Sequence, residues 1–307
     1  MADGLKISQP ARGRVSGDGI ELAFGYWPGR GAPLVALHGL TASHVTFMGV
    51  AERMAGRRPI FALDLRGRGN SDKPAGPYGM AQHASDVAAA MHAMGLDASV
   101  IVGHSMGAFV ATALATQYPD LVAGLVLLDG GYAPAMSAPN SQQGMDAALA
   151  LRIGQLRQTY PSREAYRQFW KTQPHFPAED WNPWIEAFLD YELGGEPPEL
   201  RPKAAEGAVI ADLMEGLQSE QIATRLRSIG VPVLMMRAPA GFVPGQPPLF
   251  PDAMIEQMRS LVPAMEMELI PGVTHYTMLM GSRGAAVIAD RVDDFAGRCA
   301  PVQAASR

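Results

Sequence analysis

Ser105, His275 and one of two aspartates are the residues with which this chain could open an acyl bond. The serine stands in Gly103-His104-Ser105-Met106-Gly107, a G-x-S-x-G pattern. That pattern alone is a weak signal, since a serine capping a helix after a glycine turn gives the same letters. Its surroundings narrow it. Val100–Val102 is an apolar β-branched run, and Ala108–Tyr118 reads as an alanine-rich helix stopped by Pro119. Strand, sharp turn and helix put the serine hydroxyl out of the sheet on a strained backbone. Gly103 and Gly107 fit where side chains would strike a neighbouring strand or helix. The free N–H groups that open the helix point at any negative charge formed there.

A serine hydroxyl is a weak nucleophile and needs a base. Among seven histidines, His275 lies in Pro271-Gly272-Val273-Thr274-His275-Tyr276, a loop that follows a strand. His104 adjoins the serine, but its side chain is expected to point away at the elbow. His38, in His38-Gly39-Leu40-Thr41, reads as the organiser of a loop, and His44, His83, His92 and His175 belong to no motif. A carboxylate must orient the imidazole and stabilise its charged form. Asp129 ends the strand Leu125–Leu128 beside Gly130-Gly131; Asp252 is the first acid after Met236, because Arg237–Pro251 holds no Asp or Glu. Asp252 reads as the N-cap of a helix, so Asp129 is favoured, with Asp252 the alternative. Asp64, in Asp64-Leu65-Arg66-Gly67-Arg68-Gly69-Asn70-Ser71, reads as the brace of its turn; Gly67-Arg68-Gly69 lacks the ending of a phosphate loop.

The elements that must position these residues alternate. Arg12–Trp27 is a hairpin turning at Gly17-Asp18-Gly19. Strands at Pro33–Leu37, Pro59–Leu63, Val100–Val102 and Leu125–Leu128 alternate with helices at Phe47–Ala55, Met80–Met94 and Ala108–Tyr118. That rhythm predicts a parallel sheet covered on both faces, with ligands at the carboxyl ends of its strands. His38, Asp64, Ser105 and Asp129 all fall at such ends. The rhythm then breaks. Between Asn140 and Arg227 no strand is evident, and helices are expected at Ser141–Tyr160, Ser162–Thr172, Asp180–Leu193, Lys203–Gly216 and Ser219–Ser228, with many aromatic residues. Strands at Val231–Met236 and Met265–Ile270 and helices at Asp252–Leu261 and Ser282–Gly297 resume the core.

The 307 residues suffice for one large domain with an insertion. A net charge of −5 gives no basic footprint for nucleic acid. No apolar run has membrane-spanning length. The N-terminal residues lack a secretion-signal pattern and Cys299 is the only cysteine, so a cytoplasmic enzyme without internal disulfides is the expectation. No His/Cys/Asp/Glu spacing suits a metal.

The order of His38-Gly39, Asp64–Ser71, the Gly103–Gly107 elbow and Pro271–His275 resembles the α/β-hydrolase superfamily over Arg12–Arg298. The resemblance implies a mostly parallel twisted sheet with helices on both faces, a core of residues 1–132 and 228–307, and a helical cap at 133–227. It implies Ser105 as nucleophile, His275 as base, and the backbone N–H groups of Leu40 and Met106 as the oxyanion hole. The family's commonest pattern places the acid after the strand Val231–Met236; some members place it where Asp129 stands. The expected reaction is cofactor-free hydrolysis of an ester or lactone of an apolar small molecule through an acyl-enzyme. A C–C bond hydrolase or thioesterase on the same residues is the alternative, and a cofactor-independent oxygenase or a non-catalytic receptor is the remote one. His38, His104, Trp184 and Tyr276 are the expected pocket residues. A homo-oligomer is compatible with all of this.

Overall fold

In the computed structural model of the chain, residues 9–133, 153–215 and 219–299 are described. The expected helix at Ser141–Tyr160 falls largely outside them.

β1 (Ala11–Ser16) and β2 (Glu21–Trp27) form the hairpin, antiparallel to each other. β3 (Leu34–Leu37), β4 (Ile60–Leu63), β5 (Ser99–His104), β6 (Val122–Leu128), β9 (Val233–Arg237) and β10 (Glu266–Leu269) run parallel, in an eight-stranded sheet of order β1-β2-β4-β3-β5-β6-β9-β10. Helices α1 (Met48–Met54), α2 (Met80–Ala93) and α3 (Met106–Gln117) cross between the early strands. Between β6 and β9 lie α4 (Arg163–Lys171), α5 (Pro183–Glu192), the ribbon β7 (Leu193–Gly194) and β8 (Arg201–Pro202), α6 (Glu206–Glu215) and α7 (Ser219–Arg227). The two short strands correct the expectation of a segment without strands; two residues each are too few to show an alternating pattern. α8 (Asp252–Leu261), α9 (Thr277–Met280) and α10 (Ser282–Arg298) complete the fold.

The central strands are apolar on both faces because helices cover both. Leu34 and Ala36 of β3 join one core with α1, α10 and Trp184, Ile185, Phe188 and Leu189 of α5. Val35 and Leu37 join the other, with α2, α3 and α8. Successive side chains of a strand point to opposite faces, so the central strands β3, β4, β5, β6 and β9 each contribute to both cores. Register then sets the site. Leu37 lies opposite Leu63 and Gly103, His104 opposite Leu128, and Leu128 opposite Met236. The residues that leave these strands, His38, Asp64, Ser105, Asp129 and Ala238, therefore emerge along one edge.

Candidate active site

The elbow is tight for a steric reason. A Cβ on Gly103 would stand 2.4 Å from the Gly107 carbonyl oxygen, and one on Gly107 would stand 2.1 Å from that of Leu37. Only hydrogen fits there, so α3 starts directly behind β5. Ser105 takes φ 53° and ψ −119°, a region L side chains rarely adopt. Its N–H is tied to the Leu128 carbonyl at 2.9 Å. A Cβ on Gly130 would stand 2.2 Å from the Ser105 carbonyl oxygen, so the β6 terminus packs directly against the serine.

Asp129 precedes that glycine and is itself left-handed, with φ 46°. Its N–H bonds to the Met236 carbonyl at 2.8 Å. Its side chain is buried and both oxygens are used: Oδ1 accepts the Ala238 N–H at 3.1 Å, and Oδ2 accepts from His275 Nδ1 at 2.7 Å. That second bond fixes the tautomer, with the proton on Nδ1 and a lone pair on Nε2, the form a general base needs. The His275 backbone is held as well, its N–H on the Gly241 carbonyl at 2.9 Å. Among the described residues Ser105 Oγ has no hydrogen bond to His275; such bonds often tighten only once substrate is bound.

On the other side of Ser105 runs the loop after β3. A Cβ on Gly39 would stand 3.2 Å from Ser105 Cβ and 3.6 Å from Oγ, so this backbone reaches the hydroxyl. His38 holds the loop from beneath. Its Nε2 accepts the Leu65 N–H at 2.9 Å, so Nδ1 carries the proton and donates to the Gly39 carbonyl at 2.7 Å. Burial lowers its pKa to about 4, keeping it neutral. Leu40 follows in a turn closed by the Ala42 N–H on the Gly39 carbonyl. Met106 is the first residue of α3, where a backbone N–H has no partner within the helix.

Residues 32–281 match the profile of a family described as alpha/beta hydrolase fold. The chain belongs to that family. The 2-(acetamidomethylene)succinate hydrolase of Mesorhizobium japonicum is 28% identical over 249 residues, 81% of this chain and 83% of that protein. The N-formylmaleamate deformylase of Pseudomonas putida is 35% identical over 149 residues, 48% of this chain and 54% of that one. The crystal structure of an E-2-(acetamidomethylene)succinate hydrolase superimposes with a TM-score of 0.78, covering 93% of this chain and 98% of that one at 24% identity.

Two of the expected pocket residues of this alpha/beta hydrolase, His38 and Trp184, are packed away from solvent, and the direction expected for His104 is corrected. His38 is sealed under its loop, as above. Trp184 is 1% exposed and packs on Gly49, with its Nε1 donating to Glu52 at 3.0 Å. Asn182 caps α5, its Oδ1 accepting the Trp184 N–H at 2.8 Å, and the ring joins the core of α1 and α10. His104 does not point away from the chemistry. Its Nε2 donates to the His275 carbonyl at 2.9 Å, and the two rings lie 4.5 Å apart. Burial, then the charge of His275, lowers its pKa well below the ordinary value, so it packs as a neutral ring. Tyr276 does lie beside the site, its ring 5.5 Å from that of His275.

Asp252 is exposed at the start of α8 and pairs with Arg237 at 2.5 Å. Asp64 is buried and braces its loop, accepting from the His44 N–H and Nδ1, the Asn70 N–H and the Tyr191 hydroxyl. Phe242, which sequence reasoning did not single out, sets its ring edge-on to His275 at 4.9 Å. Its place as one of two phenylalanines in a Pro- and Gly-rich loop was the only signal of it.

Proposed function

We propose that this alpha/beta hydrolase is a serine acyl hydrolase whose scissile bond is of the C–C or amide type. Ser105 Oγ attacks the carbonyl carbon while its proton passes to His275 Nε2. Asp129 holds the resulting imidazolium, and the N–H groups of Leu40 and Met106 receive the oxyanion. The carbon–nitrogen or carbon–carbon bond breaks as His275 returns that proton to the leaving group. Water, deprotonated by the same imidazole, then releases the acyl group. The observation that carries this reading is the buried Asp129–His275 pair, hydrogen-bonded at 2.7 Å beside the Ser105 elbow. The bond type is supported by the two relatives, named for hydrolysis of an acetamidomethylene succinate and deformylation of a maleamate.

An ester or lactone remains the second reading, favoured by the rings around His275. Phe242, Tyr276 and Phe176 form a continuous apolar face beside the imidazole. Residues 133–227, placed between β6 and β9, are proposed as the cap over that face. The test is turnover of N-acyl enamines, N-formyl amides, 1,3-diketones and p-nitrophenyl esters by the native enzyme and by Ser105→Ala. Cleavage within the amide or diketone classes, lost about 10⁴-fold or more in the variant, is expected. Turnover of esters alone would move the assignment to the second reading, and full activity in Ser105→Ala would sink both.

A further inference from the structure

We propose that Arg68 is a positioning residue that aligns both sides of the oxyanion hole and is itself held by Asp212 of the inserted segment. The proposal rests on reading Leu40 and Met106 as the oxyanion donors.

Arg68 is fully buried. Its Nε donates to the Leu40 carbonyl at 2.9 Å, Nη1 to the Arg66 carbonyl at 2.9 Å, and Nη2 points to Met106 Sδ at 3.7 Å. One planar guanidinium therefore touches both residues whose N–H groups would meet the oxyanion. Its donors form a rigid fork, so fixing one contact fixes the directions of the others. Holding the Leu40 carbonyl pins the peptide that follows Leu40, and with it the turn in which the Leu40 N–H stands.

The fork is anchored from outside the sheet. Nη1 pairs with Asp212 Oδ2 at 2.5 Å. Asp212 sits on α6 and also accepts from the Gly79 N–H at 2.7 Å and from His83 Nε2 at 2.8 Å. Burial opposes its charge, but the His83 hydrogen bond and Arg68 outweigh that and keep its carboxyl below the usual range. α6 is seated on the same loop by the Ala205 N–H on the Gly67 carbonyl at 2.8 Å. A Cβ on Gly67 would stand 2.6 Å from Ala208 Cβ, so helix and loop are in direct contact. The inserted segment thus reaches the proposed hole through one buried ion pair.

A purely structural pair would serve only to hold α6 down. The comparison uses Arg68→Met, Arg68→Lys and the double variant Arg68→Met/Asp212→Asn, in the full-length enzyme. The double variant removes both charges, and its asparagine can still accept from Gly79. Readouts are Tm, kcat and KM for p-nitrophenyl acetate, and the rate at which a fluorophosphonate labels Ser105. The double variant is expected to recover native Tm while kcat and labelling both stay down about ten- to hundred-fold, with KM little changed. Arg68→Lys, which keeps the cation without the fork, is expected to show the same loss; it carries the comparison if the double variant is unstable. Native kcat and labelling in either of these variants, or a loss confined to KM, overturns the proposal. If the native enzyme itself is not labelled, the nucleophile assignment fails first, and that result is distinct from a failure at Arg68.

Discussion

His38 and His104 are buried close to Ser105, and both resist protonation for want of solvent. The ordinary histidine pKa of 6.5 is lowered to about 4 at His38. Between those values the unfolded chain binds a proton that the folded chain refuses. Stability should be unaffected by His38 above about pH 7 and fall by about 3 kcal/mol as the pH drops from 6.5 to 4. His104 acts in the same direction. Thermal unfolding followed by circular dichroism between pH 7.5 and 4.5 checks this, and a Tm that rises on acidification would contradict it. At the same scale, Asp129→Asn should leave the fold in place and lower kcat by about 10⁴, because the amide favours the wrong imidazole tautomer. Asp252→Asn, on an exposed side chain, should leave kcat unchanged.

The elbow is the element on which the site depends, and its tolerance is set by backbone atoms. Gly103→Ala and Gly107→Ala each drive a methyl group into a carbonyl that cannot rotate aside. Each should cost about 1–3 kcal/mol, and more where strand and helix cannot part. Gly230→Ala meets nothing within 4 Å and should be neutral. Denaturant melts of the three variants separate the cases. A central strand can be probed in the same way. Leu125 is fully buried in β6, whose C-terminus carries Asp129. Leu125→Ala should lose about 2–5 kcal/mol through the cavity it leaves, with kcat per folded molecule retained.

At the scale of the molecule, the segment between β6 and β9 is joined to the sheet by buried polar groups as well as by apolar packing. The Tyr191 hydroxyl donates to Asp64 at 2.6 Å, Asn182 Nδ2 donates to the Met280 carbonyl at 2.7 Å, and Asp212 pairs with Arg68. Breaking any of these leaves a buried group short of a partner, which makes partial detachment costly. One cooperative transition by calorimetry is therefore expected. Tyr191→Phe should lower stability by about 1–3 kcal/mol, since it removes one of the donors to a buried carboxylate. Two separate transitions in the native protein would show instead that the segment unfolds independently of the sheet.

Pattern along the chain was enough to find the sheet and the residues gathered at its edge. Val100–Val102 before Gly103 marked β5, and the strand-ending positions of His38, Asp64, Ser105 and Asp129 followed from parallel pairing, which brings strand ends level. The order of motifs in the sequence also indicated the alpha/beta hydrolase family that the profile match then established. Contacts between residues distant in the chain were not legible there. The sequence offers both Asp129 and Asp252 as partners for His275, and the hydrogen bond that spans 146 positions is accepted by Asp129. Trp184 reads as a pocket aromatic until its ring is found against Gly49. The direction of the His104 ring depends on a carbonyl 171 residues away. Hydrophobic period and turn chemistry act over a few residues and so are written locally. The direction a buried polar side chain takes is chosen by whichever distant group satisfies it, and only the folded chain supplies that group.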